Sequence, residues 1–243
     1  MKIDNNKVVT MQLDQNSGSG FMSKNPYVNG YFAADIKLPN NYMTCGINVN
    51  LYLSNGDKYQ GRHDEVDIEF LGTRREGEYI LQTNVYVDGS GDGFFDHKRP
   101  VIGREVQFKL WFDPSKHFHH YAIAKTPREI IFFVDDTPIR RYPNINNPAT
   151  YPQREMWVYG TIWDASDWAT EGGKCRMNPS YGPYVAQYKN LFVGEADSSV
   201  KLSQTQEAAM KWVQSKYLVY DYCKSSPPPN LSLTPECAAA AAP

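Results

Sequence analysis

Short runs in which apolar and polar residues alternate recur along the chain, separated by clusters of glycine, proline and asparagine. Residues 30–38 set Tyr31, Ala33 and Asp35 against Phe32, Ala34 and Ile36, and residues 47–53 and 79–86 alternate in the same way. A period of two is the mark of a strand with one buried face. Further strands are expected over residues 8–13, 106–112, 119–124 and 184–193, with a hairpin over 129–142 turning at Asp135 and Asp136. Only one stretch reads as a helix. Ser203 and Gln206 have capping-box spacing, and Ala209, Met210 and Val213 fall on one face of the turns that follow. Residues 217–222 then return as a strand. The pattern predicts an all-β sandwich of two antiparallel sheets with a short C-terminal helix-plus-strand extension.

One alternating run departs from what folding alone requires. Over residues 64–70, Glu65, Asp67 and Glu69 share one strand face while Val66, Ile68 and Phe70 take the other. Carboxylates at every second position stand roughly 6.6 Å apart at the backbone and repel one another, which costs stability. Crowded acids push their pKa values apart, so that one stays protonated while another is ionised. Retaining glycoside hydrolysis needs such a pair, with carboxyl groups about 5–5.5 Å apart. Glu65 and Glu69 start about 13 Å apart on a straight strand, so their side chains must lean together over Asp67 or the strand must bend. Asp67 between them would orient and tune the nucleophile. A functionless acidic face and a site for a hard cation both fit the alternation with strong strand formers less well.

Composition narrows the substrate class. With net charge −2 over 243 residues and no long basic run, nucleic acid is not an expected partner. The 17 tyrosines and 5 tryptophans suit a groove that stacks against sugar rings. No apolar run approaches the ~20 residues that span a bilayer, so no membrane partner is expected. No secretory signal is visible, and the closing AAAAAP is set aside from fold reasoning. Asp88 to Gly93 imitates the start of a calcium loop, but its twelfth position is Arg99 where glutamate is required. His119 and His120 face opposite sides of a strand, which argues against a metal site with His117.

HDEVDIEFLG, residues 63–72, closely resembles the active-site strand of the plant xyloglucan endotransglucosylase/hydrolases in glycoside hydrolase family 16. The similarity continues through GSGFMSK, the YLS run, QTN, FKLWFDP and EMWVYGTIWDASDWATEGG, and covers residues 18–237. It implies a jelly-roll (concanavalin A-like) sandwich of two curved sheets, residues 1–195, with an extension over 196–237; residues 238–243 are the tail already set aside. It implies Glu65 as nucleophile, Glu69 as acid and base, and Asp67 between them. Substrate contacts are implied for His63, Tyr52, Gln82, Asn84, Trp163, Trp168 and Gly173, with Tyr222 and Tyr220 contributing from the extension. A Cys223–Cys237 disulfide is implied as well, hence secretion to the cell wall or apoplast. Cys45 and Cys175 carry no spacing signal and are expected to be a buried thiol and an unpaired one, with a bridge between them as the lesser alternative.

The sequence also departs from the family. Lys125 stands where a tryptophan is usual, Thr73 removes a glycosylation sequon, and no cysteine follows residue 194 in the loop where the family often bridges. The expected protein is a monomeric enzyme acting on xyloglucan donors and glucan acceptors, without cofactor or metal. Its rivals are a transglucanase or endoglucanase preferring mixed-linkage glucan or cellulose, and a non-catalytic glucan-binding lectin.

Overall fold

The computed structural model describes residues 1–5, 7–89, 102–195 and 201–240. In chain order the strands begin with β1 (Lys2–Ile3), β2 (Val9–Leu13), β3 (Ser19–Met22), β4 (Gly30–Lys37), β5 (Ile47–Ser54), β6 (Glu65–Gly72) and β7 (Tyr79–Tyr86). They continue with β8 (Val106–Lys109), β9 (His119–Lys125), β10 (Glu129–Val134), β11 (Thr137–Pro143), β12 (Trp157–Asp164), β13 (Tyr184–Gly194) and β14 (Leu218–Asp221). The helices are α1 (Gln204–Tyr217) and α2 (Glu236–Ala240). The glycine-rich run beyond Gly89, the rest of the loop to Val101 and residues 196–200 lie outside the described residues.

Among the described residues the strands form two antiparallel sheets, β1-β2-β13-β4-β9-β10-β11 and β14-β8-β7-β6-β5-β12-β3. The period of two decides what lies between them. Phe32 and Ile36 from the first sheet meet Val49, Leu51, Leu53, Val66, Ile68, Phe70, Leu81 and Val85 from the second in one buried cluster. Each fully buried aliphatic or aromatic side chain contributes about 1.5–3 kcal/mol. The alternate residues of the second sheet are left on its outer face, and β6 lies fourth of seven.

The C-terminal extension packs on this sandwich. Ser203 and Gln206 close the expected capping box at the start of α1. Val213 is buried, and Gln214 Nε2 donates to the Ile139 carbonyl at 3.2 Å. A second anchor is ionic. Arg104, fully buried, donates from Nε to Glu236 Oε1 at 2.6 Å. The Cys223–Cys237 disulfide fixes the two chain segments around that pair. Helix α2 continues to Ala240, into the stretch set aside as a tail.

The expectation for Cys45 and Cys175 is overturned: they form a disulfide with Cα atoms 5.4 Å apart, across 130 residues of sequence. No local spacing announces a bridge of that length. It arises because the loop after β12 folds back onto the turn before β5. Ala165 N donates to the Gly46 carbonyl at 2.7 Å, and Thr170 Oγ1 accepts from Gly46 N at 2.8 Å while donating to the Gly72 carbonyl at 2.7 Å. Gly72 permits this closeness, since a Cβ there would sit 1.7 Å from the Thr44 carbonyl oxygen.

Lys125, the residue in place of the usual tryptophan, is buried at the end of β9. Its ammonium donates to the Val28 carbonyl at 2.6 Å and to Asn29 Oδ1 at 3.3 Å, over the Tyr151 ring. His119 and His120 pair separately with Asp135 and Asp35. Among the described residues no group of three or more His, Cys, Asp or Glu is arranged to hold a metal ion.

Candidate active site

The register of β6 with its neighbours builds three rows on the outer face. Glu65 lies opposite Ser54 and Tyr86, Asp67 opposite Tyr52 and Asn84, and Glu69 opposite Asn50 and Gln82. The acids differ in exposure along the strand. The Glu65 side chain is 23% exposed, whereas Asp67 and Glu69 are buried.

Each acid has a different electrostatic setting. Burial pushes the Glu69 carboxyl above the ordinary range. Hydrogen bonds from Asn48 and Gln82 oppose that rise, and the charge of Glu105 adds to it. Asn48 Nδ2 donates to Glu69 Oε1 at 2.8 Å, and Gln82 Nε2 donates to Oε2 at 2.7 Å. Asp67 is pushed well up, first by burial and then by the charges of Glu65, Glu69 and Glu105, with a hydrogen bond to Glu65 acting the same way. A protonated Asp67 donating to Glu65 satisfies both groups. Beside Glu65, the His63 Nε2 stands 3.9 Å from Oε2, and the His63 ring stacks on Tyr86 at 5.6 Å. Set this way, Glu69 can give up and regain a proton while Glu65 is the more accessible of the three carboxyl groups.

Tyr52 stacks on Tyr159 of β12, with centroids 4.9 Å apart and planes within 13°. Trp163, opposite Asn48, sits one row beyond Glu69. Trp163 and Trp168 are 38% and 41% exposed with centroids 6.1 Å apart. Trp168 rides on the loop held by the Cys45–Cys175 bridge and Thr170. Gly173 closes that loop at φ +82°, where a Cβ would meet the Asp167 carbonyl oxygen at 2.4 Å.

Most of the residues singled out from sequence therefore share one face or its rim. Gln82 and Asn84 are buried there and direct amide groups at acids, Gln82 at Glu69 and Asn84 Nδ2 at Glu105 Oε1 at 3.5 Å. Tyr222 is the exception. It is buried at a helical turn after β14, its hydroxyl 3.2 Å from Glu236 Oε1 and its ring 5.7 Å from the Arg140 guanidinium. The chain leaves strand geometry at Asp221, so the alternation that would have turned residue 222 to the groove no longer applies. Tyr220 stays exposed, opposite Gln107. Asn48, Gln107 and Tyr159 escaped notice, although the same period of two places all three on the acid-bearing face.

An antiparallel sandwich whose second sheet carries two glutamates and a buried aspartate along its middle strand is the architecture of a glycoside hydrolase. The family described as glycosyl hydrolases family 16 matches residues 1–181, and that described as the xyloglucan endo-transglycosylase (XET) C-terminus matches residues 193–227. The chain belongs to glycosyl hydrolases family 16. It is 52% identical over 245 residues to xyloglucan endotransglucosylase/hydrolase protein 31 of Arabidopsis thaliana, covering 95% of this chain and 80% of that protein. It is 37% identical to xyloglucan endotransglucosylase protein 7 of Diospyros kaki, covering 96% and 90% of the two chains. Among solved structures, a Bacillus licheniformis beta-glucanase superposes with a TM-score of 0.56 at 20% identity, covering 78% of each chain. The apo Crh5 transglycosylase gives 0.59 at 18% identity, covering 90% of this chain and 87% of its own. These likenesses show the jelly-roll fold.

Proposed function

We propose that this chain is a retaining, endo-acting transglucosylase/hydrolase that cuts the β-1,4-glucan backbone of xyloglucan and passes the cut chain to another glucan or to water. What carries the proposal is Glu65 and Glu69 on one face of a central strand, with a buried Asp67 between them whose pKa is pushed well up. The names of the curated relatives and the match to the XET C-terminus support xyloglucan as donor.

Glu65 attacks the anomeric carbon as the bond to the leaving oxygen breaks, and Glu69 gives that oxygen its proton. In the second half Glu69, now a carboxylate, takes the proton of the incoming hydroxyl as the glycosyl–Glu65 bond breaks, with net retention. Asp67 donates to Glu65 and holds its orientation. Trp163 and Trp168 carry sugar rings near the cut, Tyr52 on Tyr159 extends the platform, and His63 borders the nucleophile. Gln82 and Asn84 keep the carboxylates in place at the groove floor, and the Gly173 turn brings backbone close to the sugars. The sandwich over residues 1–195 holds the chemistry, and the 196–237 extension buttresses it. Two disulfides support an oxidising, secreted setting in the plant cell wall.

The test is product analysis of xyloglucan digestion with and without an added xyloglucan oligosaccharide acceptor. Retained anomeric configuration and acceptor-length products are expected. Glu69→Ala should slow polysaccharide cleavage by about 10²–10⁴-fold. Full turnover by Glu65→Ala, or inversion at the anomeric carbon, would sink the proposal.

A further inference from the structure

Glu69 is gripped from both flanking strands, and the grip on one side extends a strand further. Gln107 on β8 lies directly opposite Gln82, and Gln82 opposite Glu69. Gln107 Nε2 donates to Gln82 Oε1 at 2.7 Å, while Gln82 Nε2 donates to Glu69 Oε2 at 2.7 Å. A carboxamide has one donor end and one acceptor end. By occupying the acceptor end of Gln82, Gln107 commits the donor end to Glu69. A free Gln82 would be able to turn over, presenting oxygen to the carboxylate.

Asn48 supplies the opposite side, at 2.8 Å from Oε1. It is completely buried, and its Oδ1 has no hydrogen-bond partner. Leaving a buried acceptor unpaired costs stability, and a valine at this strand position would avoid that cost. The amide is therefore placed for its donor end. Other titratable groups facing Glu69 are Asp67 on its own strand, Glu105 ahead of β8 and Tyr86 on β7. Burial and the charge of Glu105 press a proton onto Glu69, and the two amides counter them.

We propose that Asn48 and Gln107 are positioning residues for the acid/base glutamate, Asn48 by direct donation and Gln107 solely by fixing which way Gln82 points. This rests on Glu69 being the acid/base of the proposed reaction.

The decisive variant is Gln107→Leu, read beside Gln107→Glu, whose added charge raises the limb by itself. A carboxylate at 107 only accepts, so Gln82 turns its NH₂ outward and its oxygen toward Glu69, which then favours the protonated acid. The basic limb of the kcat/KM–pH profile on xyloglucan should move up by about one pH unit or more. With an aryl xyloglucan-oligosaccharide whose leaving group needs no proton, the basic limb should be absent from wild type and variants alike. Gln107→Leu, which frees Gln82 without reversing it, should give a smaller shift in the same direction. Asn48→Val removes one donor without adding charge and should also raise the limb. Limbs unmoved in folded Gln107→Leu and Asn48→Val proteins would overturn the proposal. If Gln107→Glu does not fold, Gln107→Leu and Asn48→Val decide it by the same criterion. Glu69→Ala separates the two ideas. If it turns over polysaccharide like wild type, the acid/base role itself fails. If it is slow while the other limbs stay fixed, only the positioning role is lost.

Discussion

Lys125 places a cation inside the sandwich with neutral oxygens as its hydrogen-bond acceptors. Burial lowers its pKa from 10.5 to about 8, with the charge of Asp64 pulling weakly the other way. At roughly 1.4 kcal/mol per unit, a folded state that binds this proton about 2.5 units more weakly bears a penalty of about 3 kcal/mol. The sign follows from proton counts. Below pH 8 both states are charged and the whole penalty applies. Between 8 and 10.5 the unfolded chain holds a proton that the folded chain lacks, so stability rises with pH and the penalty is gone above 10.5. Lys125→Met keeps the apolar stem and removes the charge, while leaving the Val28 and Asn29 oxygens without their donor at about 1–2 kcal/mol together. Denaturant unfolding of wild type and variant from pH 7 to 10.5 should find the variant more stable by about 1–2 kcal/mol at pH 7. That advantage should shrink by about 3 kcal/mol across the window and change sign. Tyrosines that ionise in this range are common to both proteins and cancel in the difference. A flat difference curve would mean that Lys125 keeps an ordinary pKa, and the account of its burial would be wrong.

Glu236→Gln leaves Arg104 charged and unmatched in the interior, at about 3–5 kcal/mol; Arg104→Met with Glu236→Leu should recover most of that in chemical denaturation. Replacing both Cys45 and Cys175 by serine releases a 130-residue loop and should cost up to about 4–5 kcal/mol in the chain-entropy picture. It should also raise KM more than it lowers kcat, because the Trp168 loop loses its tether. Trp168→Ala should raise KM for xyloglucan about fivefold, the equivalent of about 1 kcal/mol of ring contact, with kcat little changed. Gly72→Ala forces a methyl against the Thr44 carbonyl and should lower the melting temperature by several degrees, read by calorimetry.

Much of this architecture was legible because a strand writes its two faces into the sequence. Val66, Ile68 and Phe70 went inward and the three acids outward as the alternation required. Ser203 and Gln206 capped α1 for an equally local reason. What stayed hidden depended on segments distant in sequence meeting in space. Cys45 and Cys175 gave no sign of each other, nor did Arg104 and Glu236, which lie 132 positions apart. Asn48 and Gln107 were visible as polar residues on strands, but their target becomes evident only once register sets Asn48, Glu69, Gln82 and Gln107 side by side. Tyr222, a contact implied by the resemblance, is instead buried because the strand expected over 217–222 stops at Asp221.

The place of β6 in the middle of its sheet bears on how this protein can change over evolutionary time. With ladders on both flanks, adding or deleting one residue within Glu65–Gly72 would exchange the two faces of everything beyond it, sinking acids into oil and lifting valine and phenylalanine into water. Length variation is thus barred from the heart of the sheet. Novelty in which polymer is gripped has to arrive through the hairpins and margins around it, at β3, at β14 and along the tryptophan-bearing turn.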